Sequence, residues 1–361
     1  MKGKTAIFNK QGINIELTEV NIPELKEGEI LVKTEYTTLC RSDLNTYSGK
    51  RIEKTPTILG HEIVGRIVEF GANCNRTDER GEYLKENDRI TWAIYASNPN
   101  DVQSKNGIPQ KAADLFKYGH ELVTPESNLH GGLSEYIVLR KHTPLAKLDL
   151  NLPVQLGAIV NCAISTVAGA IRLAGNLNGK KVLISGAGNL GIYACAMSKT
   201  LGASRVVATD TSNERLEWSL KCGADTALLA DQTTKEKIKQ QFGTENPFDV
   251  VLEFSGVDTA MENGISMLAI GGTAVLVGAT HPGLDIRINP EKVIRNLLSI
   301  KGLHNYNADD FITAVSFIEK NHNHFPFLEM IYEGFTLDQV NQAFEYAINF
   351  NPFRVGIKMS N

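Results

Sequence analysis

The chain has 361 residues, enough for two domains with ample buried core, and its 42% hydrophobic and 22% charged residues are those of a globular protein. A formal net charge of -4 with no basic block argues against nucleic acid or an anionic membrane as partner. No apolar run reaches the roughly 18–20 residues that span a bilayer, the N-terminus lacks a secretory h-region, and five scattered cysteines (Cys40, Cys74, Cys162, Cys195, Cys222) make no disulfide framework, so reduced thiols and a cytoplasmic location are expected.

Residues 1 to about 150 read as mostly β. ILVKTEYTTL and IVGRIVEFG are apolar, β-branched runs bounded by turn residues. The stretch 97–128 is polar and weakly patterned and reads as a long excursion or lobe, after which GGLSEYIVL returns to a strand. From about Leu152 the pattern changes. The strand KKVLIS is followed by the helical NLGIYACAMSKTLG, then the strand RVVATD and the helical NERLEWSLKCG. DTALLA, FDVVLEF and TAVLVG continue the alternation, and the last 60 or so residues hold the strand LSIKGL, helices and the strand RVGIKM. Strands alternating with helices imply an α/β fold with a doubly wound parallel sheet.

Gly186-Ala187-Gly188-Asn189-Leu190-Gly191 fits G-x-G-x-x-G directly after a strand and at the opening of a helix. Such glycines permit a tight turn, close approach of a pyrophosphate and close helix–sheet packing, and the helix N-terminus offers free N–H groups to the phosphates. Asp210 ends the next strand, where a carboxylate accepts hydrogen bonds from ribose hydroxyls and repels a 2′-phosphate; this favours NAD over NADP.

Cys40, His61 and Cys162 are chemically suited to zinc, since three protein ligands leave a fourth tetrahedral position open. Their spacing alone does not single them out, because free Cys is commonly a small core residue. A second Gly-His-Glu, at Gly119-His120-Glu121, shows how common that tripeptide is, and His120 reads as structural.

The order Cys40-x-Ser-Asp, Gly60-His61-Glu62, Cys162-x-x-Ser-Thr, Gly186-x-Gly-x-x-Gly, Asp210 resembles the zinc-dependent alcohol dehydrogenases of the medium-chain dehydrogenase/reductase superfamily from end to end. Within them it is similar to the branch associated with phosphonate metabolism. That similarity rests on Cys40-Arg-Ser-Asp-Leu, Gly49-Lys-Arg, Pro56-Thr-Ile-Leu-Gly-His-Glu-Ile-Val-Gly, Gly107-Ile-Pro-Gln-Lys, Lys117-Tyr-Gly-His-Glu and Gly302-Leu-His-Asn-Tyr. The resemblance implies a GroES-like catalytic domain over 1–155, completed by 300–361, and a Rossmann NAD-binding domain over 156–299. It implies that Cys40, His61 and Cys162 bind one catalytic zinc, with Glu62 able to approach or replace the fourth ligand. Ser42 is implied as the hydroxyl that hands on the alcohol proton and Asp43 as the acid that orients His61. Arg41 and Arg354 match positions that meet the coenzyme pyrophosphate in some members. The implied reaction is reversible hydride transfer between an alcohol, or an aldehyde or ketone, and NAD(H), by a homodimer or homotetramer joined through edge strands such as Thr273–Gly278.

Two departures stand out. The four cysteines that hold a structural zinc in many relatives are replaced in register by Asn98, Asp101, Ser104 and Ala112, so no structural zinc is expected. Asn45 stands where many relatives carry a His that ends a proton relay, and Asn does not titrate. Lys50 and Arg51 could meet an anionic substrate group but read first as a solvated loop; Trp92, Tyr47 and Leu303 are candidates to shape the pocket. Alternative readings are a zinc-free quinone or enoyl reductase of the same superfamily and a non-catalytic nucleotide-binding protein.

Overall fold

A computed structural model describes residues 1–232, 235–280, 283 and 285–359. The chain forms two compact units: Met1–Cys162 with Asn307–Asn323 and Phe327–Asn361, and Ala163–Tyr306 with His324–Pro326.

The first unit is built on a seven-stranded sheet in the order Ile331–Thr336, Arg354–Lys358, Ile30–Leu39, Glu62–Phe70, Arg89–Trp92, Leu145–Lys147, with Tyr136–Leu139 also paired to Ile30–Leu39. Ile30–Leu39 reads as a near-continuous apolar run because eight of its ten side chains are buried. Where its register shifts between Thr34 and Tyr36, Glu35 accepts from Arg66 Nε at 2.8 Å and Arg89 Nε at 2.7 Å on the next two strands. Two apolar cores flank this sheet: one gathers Phe8, Leu39, Leu59, Phe344 and Val355, the other Val32, Ile67, Ile90, Trp92 and Tyr118.

Register decides where the site falls. Leu39 pairs with Val355, and Thr38 pairs with Glu62, both antiparallel. The end of Ile30–Leu39 therefore lies beside the starts of two neighbouring strands, and Cys40, Glu62 and Arg354 meet there.

The helix Val154–Ile159 packs on Ile30–Leu39 and Glu62–Phe70. Gly157 permits this approach, since a Cβ there would stand 2.8 Å from Leu148 Cδ1 and 3.3 Å from Val64 Cγ2. The helix runs on through a π turn over Val160–Ile164 into Ser165–Ala174. This corrects one expectation. The 21 residues Val154–Ala174 are long and apolar enough by composition to cross a bilayer, although Gln155, Asn161 and Ser165 interrupt any pure apolar run. The 83% burial of its most apolar window is that of a core helix.

At the positions in register with the structural-zinc cysteines, hydrogen bonds join the lobe. Asp101 caps the helix Val102–Lys105, accepting from Gln103 N–H at 2.7 Å, while its second oxygen accepts from Ala113 N–H at 3.3 Å. Asn98 N–H donates to Asp114 at 3.3 Å. One carboxylate thus ties both arms of the excursion to each other.

The second unit is a six-stranded parallel sheet with helices between its strands, in the order Thr226–Leu229, Arg205–Asp210, Lys181–Ser185, Phe248–Glu253, Leu268–Leu276, Ser299–Gly302. The strand order reverses between Lys181–Ser185 and Phe248–Glu253, the switch point outside which such sheets bind ligands at their carboxyl ends. The segment 273–278, named above as an edge strand, lies mostly within Leu268–Leu276, which Ser299–Gly302 covers. The apolar TAVLVG run is that of an internal strand, buried by its neighbours.

Candidate active site

Cys40 ends a strand and caps the helix Arg41–Tyr47. Asp43, in that helix's first turn, accepts the Cys40 N–H at 2.8 Å with one oxygen and the Gly60 N–H at 3.1 Å with the other. The same Oδ1 lies 3.3 Å from His61 Nδ1, an approach of charges without an aligned hydrogen bond. One buried carboxylate therefore positions both chain segments and the imidazole between them. Gly60 takes a positive φ of 87°, and its neighbour His61 turns its other nitrogen, Nε2, to within 3.4 Å of Ser42 Oγ.

Cys162 arrives from the opposite side of the sequence, in the π turn. A single wide turn of this kind breaks the 3.6-residue period and is common at functional sites. The preceding Asn161 accepts the Ile63 N–H at 3.4 Å, pinning the turn beside the His61 segment. Cys40, His61 and Cys162 thus bring one donor atom each to within 4.8 Å of one another. All five cysteines are free thiols.

The electrostatics of the trio are those of shared protons. A hydrogen bond with Cys162 holds the Cys40 thiol well below its usual range against burial, with Arg354 and His61 adding to the effect. The same bond, then burial, pushes Cys162 well above it. Burial opposes charge on His61, but the Asp43 carboxylate and then Cys40 outweigh it and push the imidazole up to about 10. Two thiols that share a proton between them, a neighbouring imidazole braced on its far side by a carboxylate, and a largely buried setting fit a soft tetrahedral cation with one open position.

Glu62 stands apart from this trio. Arg354 donates to it from Nε at 2.7 Å and from Nη2 at 2.8 Å, and the Thr38 hydroxyl also donates to it. Arg354, matched above to a pyrophosphate position, is 4% exposed, and its Nη2 reaches Cys40 Sγ at 3.7 Å. Arg41 lies on the surface and bonds Asn351. Trp92 is fully buried in the core beside Tyr118, so it lines no open pocket. Lys50 is exposed, whereas Arg51 is half-buried against Glu53.

In the second unit the glycine motif links the strand Lys181–Ser185 to the helix Asn189–Thr200. Gly186 has φ 92°, and a Cβ there would stand 2.8 Å from Ser255 N. A Cβ on Gly191 would stand 1.9 Å from Gly186 O, so only glycine lets the helix lie this close. Asp210 accepts the Ala187 N–H at 2.8 Å and the Ser212 N–H at 3.0 Å, which joins the acid to the loop itself.

Sequence reasoning passed over two residues here. Arg215 sets Nη1 3.3 Å from where a Cβ on Gly188 would stand. Glu253 is fully buried at the switch point and accepts from Ser255 N–H at 2.7 Å and Gly256 N–H at 3.1 Å. A buried acid ending an otherwise apolar strand was the available signal for Glu253.

Two family models match the chain: an alcohol dehydrogenase GroES-like domain over residues 26–149 and a zinc-binding dehydrogenase domain over 189–320. The chain is 29% identical over 340 residues to L-threonine 3-dehydrogenase of Aeromonas salmonicida, covering 93% of each chain. Its structure is similar to that of an alcohol dehydrogenase from Thermotoga maritima, with a TM-score of 0.91 at 25% identity and full coverage of both chains. It also shares its fold with a zinc-binding dehydrogenase of Sinorhizobium meliloti bound to NADP, with a TM-score of 0.85 at 21% identity and 99% of each chain covered.

Proposed function

Because the chain belongs to the zinc-dependent medium-chain dehydrogenase/reductase superfamily, as an oxidoreductase of the alcohol and polyol dehydrogenase type, we propose that it moves hydride reversibly between an alcohol and NAD(H). In this reading Cys40, His61 and Cys162 hold one catalytic zinc. The observation that carries it is the gathering of those three donors within 4.8 Å, from segments far apart in sequence.

Bound zinc supplies Lewis acidity toward the hydroxyl oxygen, and bound nicotinamide supplies the hydride acceptor. The chain's own residues place these groups and manage the proton. Asp43 orients His61 and holds the Cys40 segment. Ser42 Oγ, 3.4 Å from His61 Nε2, is the hydroxyl this reading assigns to take up the alcohol proton. Asn45 does not titrate, so the proton leaves Ser42 by water or a coenzyme hydroxyl. Glu62, held by Arg354, keeps a buried charge close to the ligand set. The free N–H groups at the N-terminus of the Asn189–Thr200 helix would hold the pyrophosphate. Asp210 uses two of its roughly four acceptor sites on backbone N–H groups and keeps the others for ribose hydroxyls, which favours NAD. The narrower likeness to the phosphonate-metabolism branch and the homo-oligomeric state belong to this proposal.

Replacing Cys162 with Ala tests the reading. Zinc content falls from about one per chain to background, alcohol-dependent NADH formation falls with it, and NADH binding persists. Undiminished turnover would overturn the ligand set.

A further inference from the structure

Glu253 ends the strand Phe248–Glu253 and pairs in register with Ser185 on one side and Leu276 on the other. Acids are almost never fully buried without partners, yet this one is fully buried and held by donors of its own turn. Its Oε1 accepts the Ser255 N–H at 2.7 Å, the Gly256 N–H at 3.1 Å and the Ser255 hydroxyl. Its Oε2 accepts the Gly256 N–H at 3.3 Å. Val257 N–H donates to Ser255 Oγ at 3.1 Å, which extends the same grip to the start of the helix Asp258–Ser266. Burial raises the Glu253 pKa, and the donors of Ser255, Gly256 and Gly278 work against that rise. Ser255 and Val257 are exposed, so a buried acid holds an outward-facing turn.

Three turns meet at this carboxylate. The glycine turn leaves Lys181–Ser185, and a Cβ on Gly186 would stand 2.8 Å from Ser255 N. The middle turn leaves Phe248–Glu253; Gly256 takes a φ of 71°, and a Cβ on it would stand 2.6 Å from Gly278 O. The third leaves Leu268–Leu276, and a Cβ on Gly278 would stand 2.2 Å from Gly256 N. The backbones of the three turns are thus in direct contact at the carboxyl ends of their strands. A sheet of this strand order is two mononucleotide-binding halves set side by side. The glycine turn and Asp210 belong to the half that begins with Lys181–Ser185, and the Ser255–Gly256 and Gly278 turns to the half that begins with Phe248–Glu253. The glycine turn has supports of its own. Gly186 N–H donates to Thr209 O at 2.8 Å, and Asp210 accepts the Ala187 N–H at 2.8 Å.

We propose that Glu253 is a positioning residue for the nicotinamide half of the coenzyme, fixing the Ser255–Gly256 turn and, through it, the Gly278 turn. The proposal rests on the dehydrogenase reading and deepens it. Removing the carboxylate leaves the Ser255 and Gly256 N–H groups without their acceptor, and the turn settles elsewhere. The adenosine and pyrophosphate half, held at Asp210 and the glycine turn, does not depend on this acid.

The zinc-loaded enzyme and its Glu253→Met and Glu253→Gln variants are titrated with NADH by fluorescence and with ADP, which lacks the nicotinamide nucleotide, by calorimetry. Zinc content and urea midpoints are measured alongside. Glu253→Met weakens NADH binding by about tenfold, the worth of one hydrogen bond to a charged group, and leaves ADP binding within about twofold of the wild type. Glu253→Gln keeps one acceptor oxygen of the same shape and loses about threefold on NADH alone. Should Glu253→Met fail to fold, Glu253→Gln decides on the same comparison. A role confined to stability would weaken both ligands alike or neither, and either result in a folded variant would overturn the proposal. A selective loss of NADH in Glu253→Met together with undiminished turnover in Cys162→Ala would overturn the zinc dehydrogenase reading and leave the role of Glu253 standing. A wild type that binds ADP but not NADH would overturn both.

Discussion

Arg354 donates from Nε and Nη2 to the two carboxylate oxygens of Glu62, at 2.7 and 2.8 Å, across 292 residues of sequence. Both side chains are buried, at 4% and 0% exposure. The pair joins the C-terminal strand to the start of the strand that follows His61, and the guanidinium also leans on Cys40. Burial raises the Glu62 pKa, and Arg354 works against that rise. Arg354 is thus the group that offsets the cost of charge at this buried carboxylate.

Arg354→Met therefore strands a buried acid and is expected to cost about 3–5 kcal/mol in urea unfolding. The double variant Glu62→Gln with Arg354→Met removes both charges and is expected to regain a substantial part of that loss. Strict additivity of the two single changes in this cycle would show that the ion pair is energetically idle.

The glycine motif predicts a contrast between neighbours. Gly191→Ala drives a Cβ into a backbone carbonyl that cannot move away, and a loss of roughly 1–3 kcal/mol or more is expected. Gly188→Ala meets only the flexible end of Arg215 at 3.3 Å and is expected to leave stability nearly unchanged. Zinc content should stay level in both variants, because the ligand trio belongs to the other unit. Equal unfolding midpoints for the two would contradict the close helix–loop packing.

His130 predicts an acid sensitivity of the fold. It is 1% exposed, lies edge-on to Phe116, and neither ring nitrogen has a hydrogen-bond partner. Burial holds its pKa down to about 4. Below about pH 6.5 the unfolded chain takes up a proton that the folded chain refuses. The stability this neutral His contributes is thus complete above about pH 6.5 and is lost as pH falls toward 4, by up to about 3 kcal/mol. In urea titrations from pH 7 to 4, the wild type should lose more stability than His130→Phe. Parallel profiles would show that the imidazole is not the titrating group.

Particular residues show what could be read in advance. The α/β alternation was legible because each buried strand and amphipathic helix writes its own period. RVVATD coincides with the observed strand Arg205–Asp210. The glycine motif was legible because strand, turn and helix are contiguous. Asp43 was expected beside His61 only through the resemblance; its hold on the Cys40 N–H, from the place of a capping acid three residues on, was not foreseen. The π turn at Cys162 was not legible, since one inserted residue leaves no mark on an apolar helical pattern.

By itself, the sequence determined everything that depends on neighbours a few residues away: the element order, the glycine turn and the cap that begins at Cys40. Only the tertiary structure decided which distant groups meet. Strand register set Cys40, Glu62 and Arg354 side by side, and packing at Gly157 and Gly119 carried Cys162 and the Lys117–His120 turn to the same place. Register and close packing are properties of the whole sheet, settled by the sum of many small burial energies, and no short window of residues contains that sum.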